Sequence, residues 1–176
     1  MTEGDRHEAS TRTFLACAAD VARLLHLEAA ADVPEDQRAR HLAGAARRPL
    51  LERATLSEEF FDPLMAAAVY DPDPSFCRWF IEPALYAFGR RRVMTALLGY
   101  LRTGTTAEIA GAQRAWYCAH LPLRADRSPA YAPSGRRDPA LDEVGDVVDQ
   151  WRKSSSTQQR DHSASESHRG SRRPLS

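Results

Sequence analysis

The sequence predicts an all-α fold. Apolar residues recur at spacings of three and four in six successive segments, and proline, glycine and capping residues punctuate those segments. No alternating run of β-branched residues occurs anywhere in the chain.

The first helix is expected from Ser10 or Thr11, which can cap it, to about Ala31, with Phe14, Leu15, Ala18, Val21, Ala22, Leu25 and Ala29 on one face. Asp32-Val33-Pro34 stops it. Pro34 with Glu35 and Asp36 then suits the first turn of a second helix, which Pro49 is expected to end after Arg47. A third helix follows the cap Ser57 and turns Phe60, Phe61, Leu64, Met65, Ala68 and Val69 inward. Pro63 means that this helix either begins at Asp62-Pro63 or bends there. Asp71-Pro-Asp-Pro74 is a compact turn. Ser75 is expected to cap a fourth helix carrying Phe76, Trp79, Phe80, Ala84, Leu85 and Phe88, kinked by Pro83 and closed by Gly89 in a left-handed position. The fifth, Arg90 to about Arg102, has a stripe of Val93, Met94, Leu97, Leu98 and Leu101 and ends at Gly104. Thr105 and Glu108 have the spacing of a capping box for the sixth, which stops before Pro122.

Large apolar residues become sparse beyond Leu123. The domain organisation expected is a flexible N-terminus (1–10), an α-helical domain (11–122), a Pro- and Gly-interrupted linker (123–139), a short acidic helix (140–151) and a disordered tail (152–176) too poor in apolar side chains to offset the entropy of ordering.

Two segments match at a separation of 31 residues: Asp62–Ser75 aligns with Val93–Thr106, and Ala84-Leu-Tyr-Ala-Phe88 with Ala115-Trp-Tyr-Cys-Ala119. Each reads as helix, turn, helix. The clearest unit is Gly89 to Leu121, with an Arg-rich entry, Leu-Leu-Gly-Tyr-Leu-Arg-Thr-Gly, and then small residues at 110, 111, 112, 115 and 119. This pattern resembles a HEAT-type helical repeat over about 60 residues, as two units, Ser57 to Gly89 and Arg90 to Leu121. It departs from that family in its shorter period, in Pro63 and Pro83 inside the first unit, and in having two clear copies. A non-repetitive helical bundle is the plainer alternative. The resemblance implies stacked antiparallel helix pairs and a binding role rather than catalysis.

Lys plus Arg equals Asp plus Glu, at 24 each, and this balance argues against a dedicated nucleic-acid binder. Three widely spaced cysteines imply no disulfide framework, and the N-terminus lacks the pattern of a secretory signal, so the expected location is cytoplasmic. No run is long and apolar enough to span a membrane. Ala and Arg far outnumber Ile and Lys, the bias of a GC-rich, plausibly bacterial, genome.

No catalytic motif, phosphate loop or nucleophile elbow is present, and no cofactor or metal is expected. Cys118 and His120 would diverge by about 200° on a helix and so would not share an ion. The candidate partner-binding residues are Arg90, Arg91, Arg92 and Arg114 with the aromatics Trp79 and Tyr117. Three cations at a helix start oppose its dipole, which hints at a partner. Trp116 and Tyr117 point about 100° apart, so one of them faces away from the core, and an exposed aromatic near arginine has the composition of an interface hot spot. The partner expected is another protein. The alternatives are a phosphate backbone gripped by the arginines, or an end fragment of a longer repeat array whose 141–151 helix would expose an apolar face.

Overall fold

The computed structural model describes residues 12–28, 32–53, 55–123 and 143–170, with side chains described as far as 158. It is all-helical: α1 (Phe14–Leu24), α2 (Glu35–Glu52), a 3₁₀ turn (Glu58–Phe60), α3 (Phe61–Tyr70), α4 (Arg78–Phe88), α5 (Arg90–Thr103), α6 (Thr106–Cys118) and α7 (Gly145–Gly170). No strand occurs among the described residues. The expected 1–10 segment and nearly all of the 123–139 linker lie outside them.

At the centre is α3, packed against α1, α4 and α6. Sequence periodicity gives this helix one apolar face, yet Leu64 through Val69 are buried without a break. A helix apolar all round must be enclosed on every side, and the small side chains of Ala66, Ala67 and Ala68 let its neighbours come close. Pro63 lies in the first turn of α3, where its missing N–H has no intrahelical acceptor to lose. Of the two options for that proline, the helix begins there.

Several boundaries differ from the periodic pattern. The first helix is capped by Thr13, whose hydroxyl accepts from the Ala16 N–H, and stops at Leu24 rather than running to Ala31. His26 takes φ of +57°, Leu27 N–H donates back to Ala22 and His26 N–H to Arg23. This is a Schellman end, in which a histidine occupies the left-handed position usually taken by glycine. The second helix continues through Pro49 to Glu52, and Leu50, one residue further on, is buried. One lost backbone bond is outweighed by seating that leucine. The fourth helix starts at Arg78, because Ser75 is drawn into the preceding turn: its N–H donates to the Asp73 carboxylate, and the Asp73 N–H donates to Asp71. Gly89 closes α4 with φ of +82° and ψ of 151°, turning the chain directly into α5.

The capping box of α6 forms as the Thr105 and Glu108 spacing predicts. The Thr105 hydroxyl accepts from the Glu108 N–H, and the Glu108 carboxylate accepts from the Thr105 N–H at 2.7 Å. The other carboxylate oxygen of Glu108 accepts from the Tyr70 hydroxyl at 2.8 Å, tying the start of α6 to the end of α3. The Thr105 N–H, assisted by the Tyr70 bond, holds Glu108 below the usual carboxylate range, while burial and then the Glu108 bond push Tyr70 up to about 12. The depressed carboxylate stabilises the fold above the ordinary Glu value and loses that contribution as pH falls through its folded value. The raised phenol stabilises the fold below the ordinary Tyr value and loses that contribution as pH rises through about 12. In an ultraviolet phenolate titration, Tyr70→Phe is expected to delete a step near pH 12. Loss of a step at the ordinary phenol value instead would contradict the bond.

The largest departure is at the C-terminus. The helix expected to end at Trp151 continues past it: α7 spans Gly145–Gly170, with side chains described as far as Gln158. Val144, Val147 and Trp151 are buried, and Trp151 stacks on Trp116 with centroids 3.9 Å apart and planes at 5°. Of the face that the end-fragment alternative leaves exposed, Val144, Val147 and Trp151 are covered within the chain, and Leu141 lies outside the described residues. On either side of Trp151 the helix is also held by polar side chains: Arg102 of α5 donates to Gln150 and Ser154, and Gln158 donates to the Leu101 carbonyl. Leu123, expected to open the linker, is also buried in the core.

Candidate functional site at the α4–α6 junction

The three consecutive arginines at the start of α5 point to three different places. Arg90 is buried, 3% exposed, and its guanidinium donates to the carbonyls of Ala119 and Leu121, just past the end of α6. Its charge opposes the dipole of its own helix but complements the carbonyl end of the antiparallel neighbour. Arg91 reaches across to α7, where it forms a two-pronged pair with Asp146 at 2.7 and 2.9 Å and donates to the Glu143 carbonyl. Arg92 pairs with Glu58 and lies over the rings of Phe61 and Phe88. Placement against their own dipole thus has an intramolecular cause, and the three side chains do not converge on one patch.

Two of the other three candidates, Arg114 and Trp79, are tied to the turn from Asp71 to Cys77. The Asp71 carboxylate is fully buried and receives two bonds from Arg40, at 2.6 and 2.9 Å. Arg40 in turn stacks over Phe14, Phe76 and Trp79. Trp79 is half-buried, edge-on to Phe76 and also covered by Arg47. Arg114 donates to the Asp71 carbonyl at 3.1 Å, fixing α6 against the same turn. One helical turn beyond Arg114, Tyr117 is 81% exposed, whereas its neighbour Trp116 is 7% exposed. The divergence of this pair is as the helical geometry predicts. Tyr117 is the large apolar side chain left in solvent among the described residues.

A contact that sequence spacing does not reveal lies beside Tyr117. Cys118, at the end of α6, and Cys77, at the start of α4, bring their sulfurs to 3.2 Å, and both thiols are free. Cys77 is buried, and its single S–H has two acceptors in reach, the Pro74 carbonyl at 3.4 Å and the Cys118 sulfur, while Cys118 is partly exposed. A hydrogen bond from Cys77 would favour the Cys118 thiolate, Arg78 adds a favourable charge and burial opposes them; together these hold Cys118 below the ordinary thiol value. The same bond and burial push Cys77 up. The third thiol, Cys17, is buried and pushed up by desolvation. The 41 residues separating Cys77 from Cys118 carry no periodic signal, so only helix packing discloses the pair.

His120 hydrogen-bonds the Trp116 carbonyl through Nδ1 and does not join the thiols. No group of three or more His, Cys, Asp or Glu side chains is placed to hold a metal among the described residues. No helix among them is long and apolar enough to cross a membrane. Comparison with protein-family models, curated proteins and solved structures gives no match.

Proposed function

We propose that the chain is a non-enzymatic, HEAT-like helical module that binds another protein in the cytoplasm through the surface at the end of α6. The observation that carries this reading is Tyr117, an 81%-exposed aromatic on a rigid helix whose other aromatic, Trp116, is buried. Arg114, one turn before it, fastens α6 to the Asp71 carbonyl, so the helix that presents the tyrosine is already in place and the ordering cost on binding is small. Arg78 is exposed nearby, at the start of α4, and supplies a charged rim. The phosphate-backbone alternative is less favoured, because it needs Arg90, Arg91 and Arg92 to act together and each has its own partner within the chain.

The test begins with capture on the immobilised chain and identification of the bound protein, followed by titration of that protein in purified form. Tyr117→Ser is expected to weaken binding by about 30-fold, the size of a hot-spot residue worth roughly 2 kcal/mol. Its thermal midpoint should match that of the unaltered chain, because the side chain it removes lies in solvent. Equal affinity of the two forms would take Tyr117 out of the interface. Salt-sensitive retention on DNA, abolished by Arg91→Ala and Arg92→Ala together, would favour the phosphate-backbone reading instead.

A further inference from the structure

We propose that Cys77 and Cys118 form a peroxide-reactive dithiol, in which Cys118 is the attacking thiol and Cys77 the resolving one, and which closes reversibly to a disulfide between α4 and α6. The roles follow from placement. Cys118 is partly exposed and can meet a small oxidant, whereas Cys77 is fully buried with its sulfur 3.2 Å from that of Cys118. Forming the bond requires the sulfurs to close to about 2 Å, a movement of roughly 1 Å that side-chain rotation at the two helix ends can supply. Each cysteine stands at a helix end, Cys77 preceding α4 and Cys118 closing α6. The Cys77 contact and the Arg78 charge lower the proton affinity of Cys118 and so favour its thiolate.

The chemistry balances with hydrogen peroxide as oxidant. The Cys118 thiolate attacks one peroxide oxygen. An S–O bond forms, the O–O bond breaks, and hydroxide leaves and takes up a proton as water. Cys118 is then a sulfenic acid, oxidised by two electrons. The Cys77 sulfur attacks the Cys118 sulfur, the S–S bond forms, the S–O bond breaks, and the departing hydroxide leaves as water with the Cys77 proton. Two thiols and one peroxide give one disulfide and two waters. A small dithiol reverses the reaction by exchange. Cys17, buried and pushed up, serves as an unreactive internal reference. This proposal is independent of the protein-binding reading.

The experiment uses the purified full chain, fully reduced and then exposed to equimolar hydrogen peroxide, with thiol counting and peptide mapping under non-reducing conditions. The expected product is an intramolecular Cys77–Cys118 cross-link, reversed by a dithiol, with Cys17 still free. Cys118→Ser should lose thiols about tenfold more slowly than the unaltered chain, as expected when a thiolate is replaced by protonated thiols. Cys77→Ser should stop at a sulfenic acid on Cys118, trapped by a 1,3-dione. Because Cys77 is buried and its replacement can unfold the chain, the map of the unaltered protein and the Cys118→Ser rate decide the matter without it. Cross-links to Cys17 or between chains, or a Cys118→Ser rate equal to that of the unaltered chain, would overturn the proposal.

Discussion

Gly111→Ala is expected to destabilise the protein by about 3 kcal/mol, the upper end of the cost of overpacking a core. A Cβ at this position would lie 1.9 Å from the Val69 carbonyl oxygen, 2.8 Å from its carbon and 3.0 Å from Val69 Cγ1. The first two are backbone atoms of α3 and cannot rotate aside, so α6 must move away from the central helix. Alanine is the better helix former by about 1 kcal/mol, but that gain cannot separate two packed backbones. Gly99 provides the control. It lies on the exposed side of α5 with no atom within 4 Å of its would-be Cβ. Gly99→Ala should therefore stabilise by roughly 0.5–1 kcal/mol from propensity alone. Urea unfolding of the two variants should move the midpoint in opposite directions, and a neutral Gly111→Ala would mean that α6 does not approach α3 this closely.

The second large effect is expected at Asp71. Asp71→Ala removes a fully buried carboxylate from Arg40 and also strips the Asp73 N–H of its acceptor. Breaking a buried ion pair by removing one partner costs about 3–5 kcal/mol. The lower end applies here, because the Arg40 side chain keeps about 30% exposure and can recover some hydration. Asp71→Asn should cost less, since its amide oxygen can still accept from the Asp73 N–H. A double-mutant cycle with Arg40→Ala, read by denaturant unfolding, should show coupling of the two positions. Additive losses would show that the turn and not the ion pair carries the stability. Either result bears on the candidate interface, because Arg40 also covers Trp79 and Phe76, and Arg114 is fastened to the same turn.

Both variants act at positions that were partly legible in the sequence. The alanines and Gly111 of the sixth helix identify a close approach, and Asp71-Pro-Asp-Pro74 identifies a turn, since both depend on local residue size and backbone preference. The partners were not legible. Gly111 meets α3 rather than the sequence-adjacent α5, and Asp71 meets an arginine 31 residues earlier in the chain. The same division holds at helix ends. The Thr105 and Glu108 box and the Gly89 terminus follow from short-range rules, whereas the His26 terminus uses a residue with no turn signature and Pro49 stays inside a helix because Leu50 has a core site to fill.

The candidate site divides in the same way. Tyr117 as an outward aromatic follows from the 100° step of a helix once Trp116 is assigned inward. The fate of Arg90, Arg91 and Arg92 does not, because their partners lie 29, 55 and 34 residues away. A cluster that reads as a patch along the chain becomes three separate ties between elements. The C-terminal helix makes the same point from the other direction. Its continuation from Arg152 to Gln158 has no apolar period to announce it, and its ties are hydrogen bonds to Arg102 and the Leu101 carbonyl that exist only once α5 is in place.

By itself the sequence determined the class and the number of α-helices up to Leu123, the Thr105–Glu108 box, the Gly89 and Gly104 ends, and that one of Trp116 and Tyr117 faces outward, because hydrophobic period, glycine and capping side chains act within a few residues. Tertiary structure alone decided that α3 is enclosed on all sides, that the arginines are ties, that α7 closes over Trp116, and that Cys77 meets Cys118. Those outcomes depend on which surfaces meet after the helices pack, and nothing within a few residues of each side chain encodes that meeting.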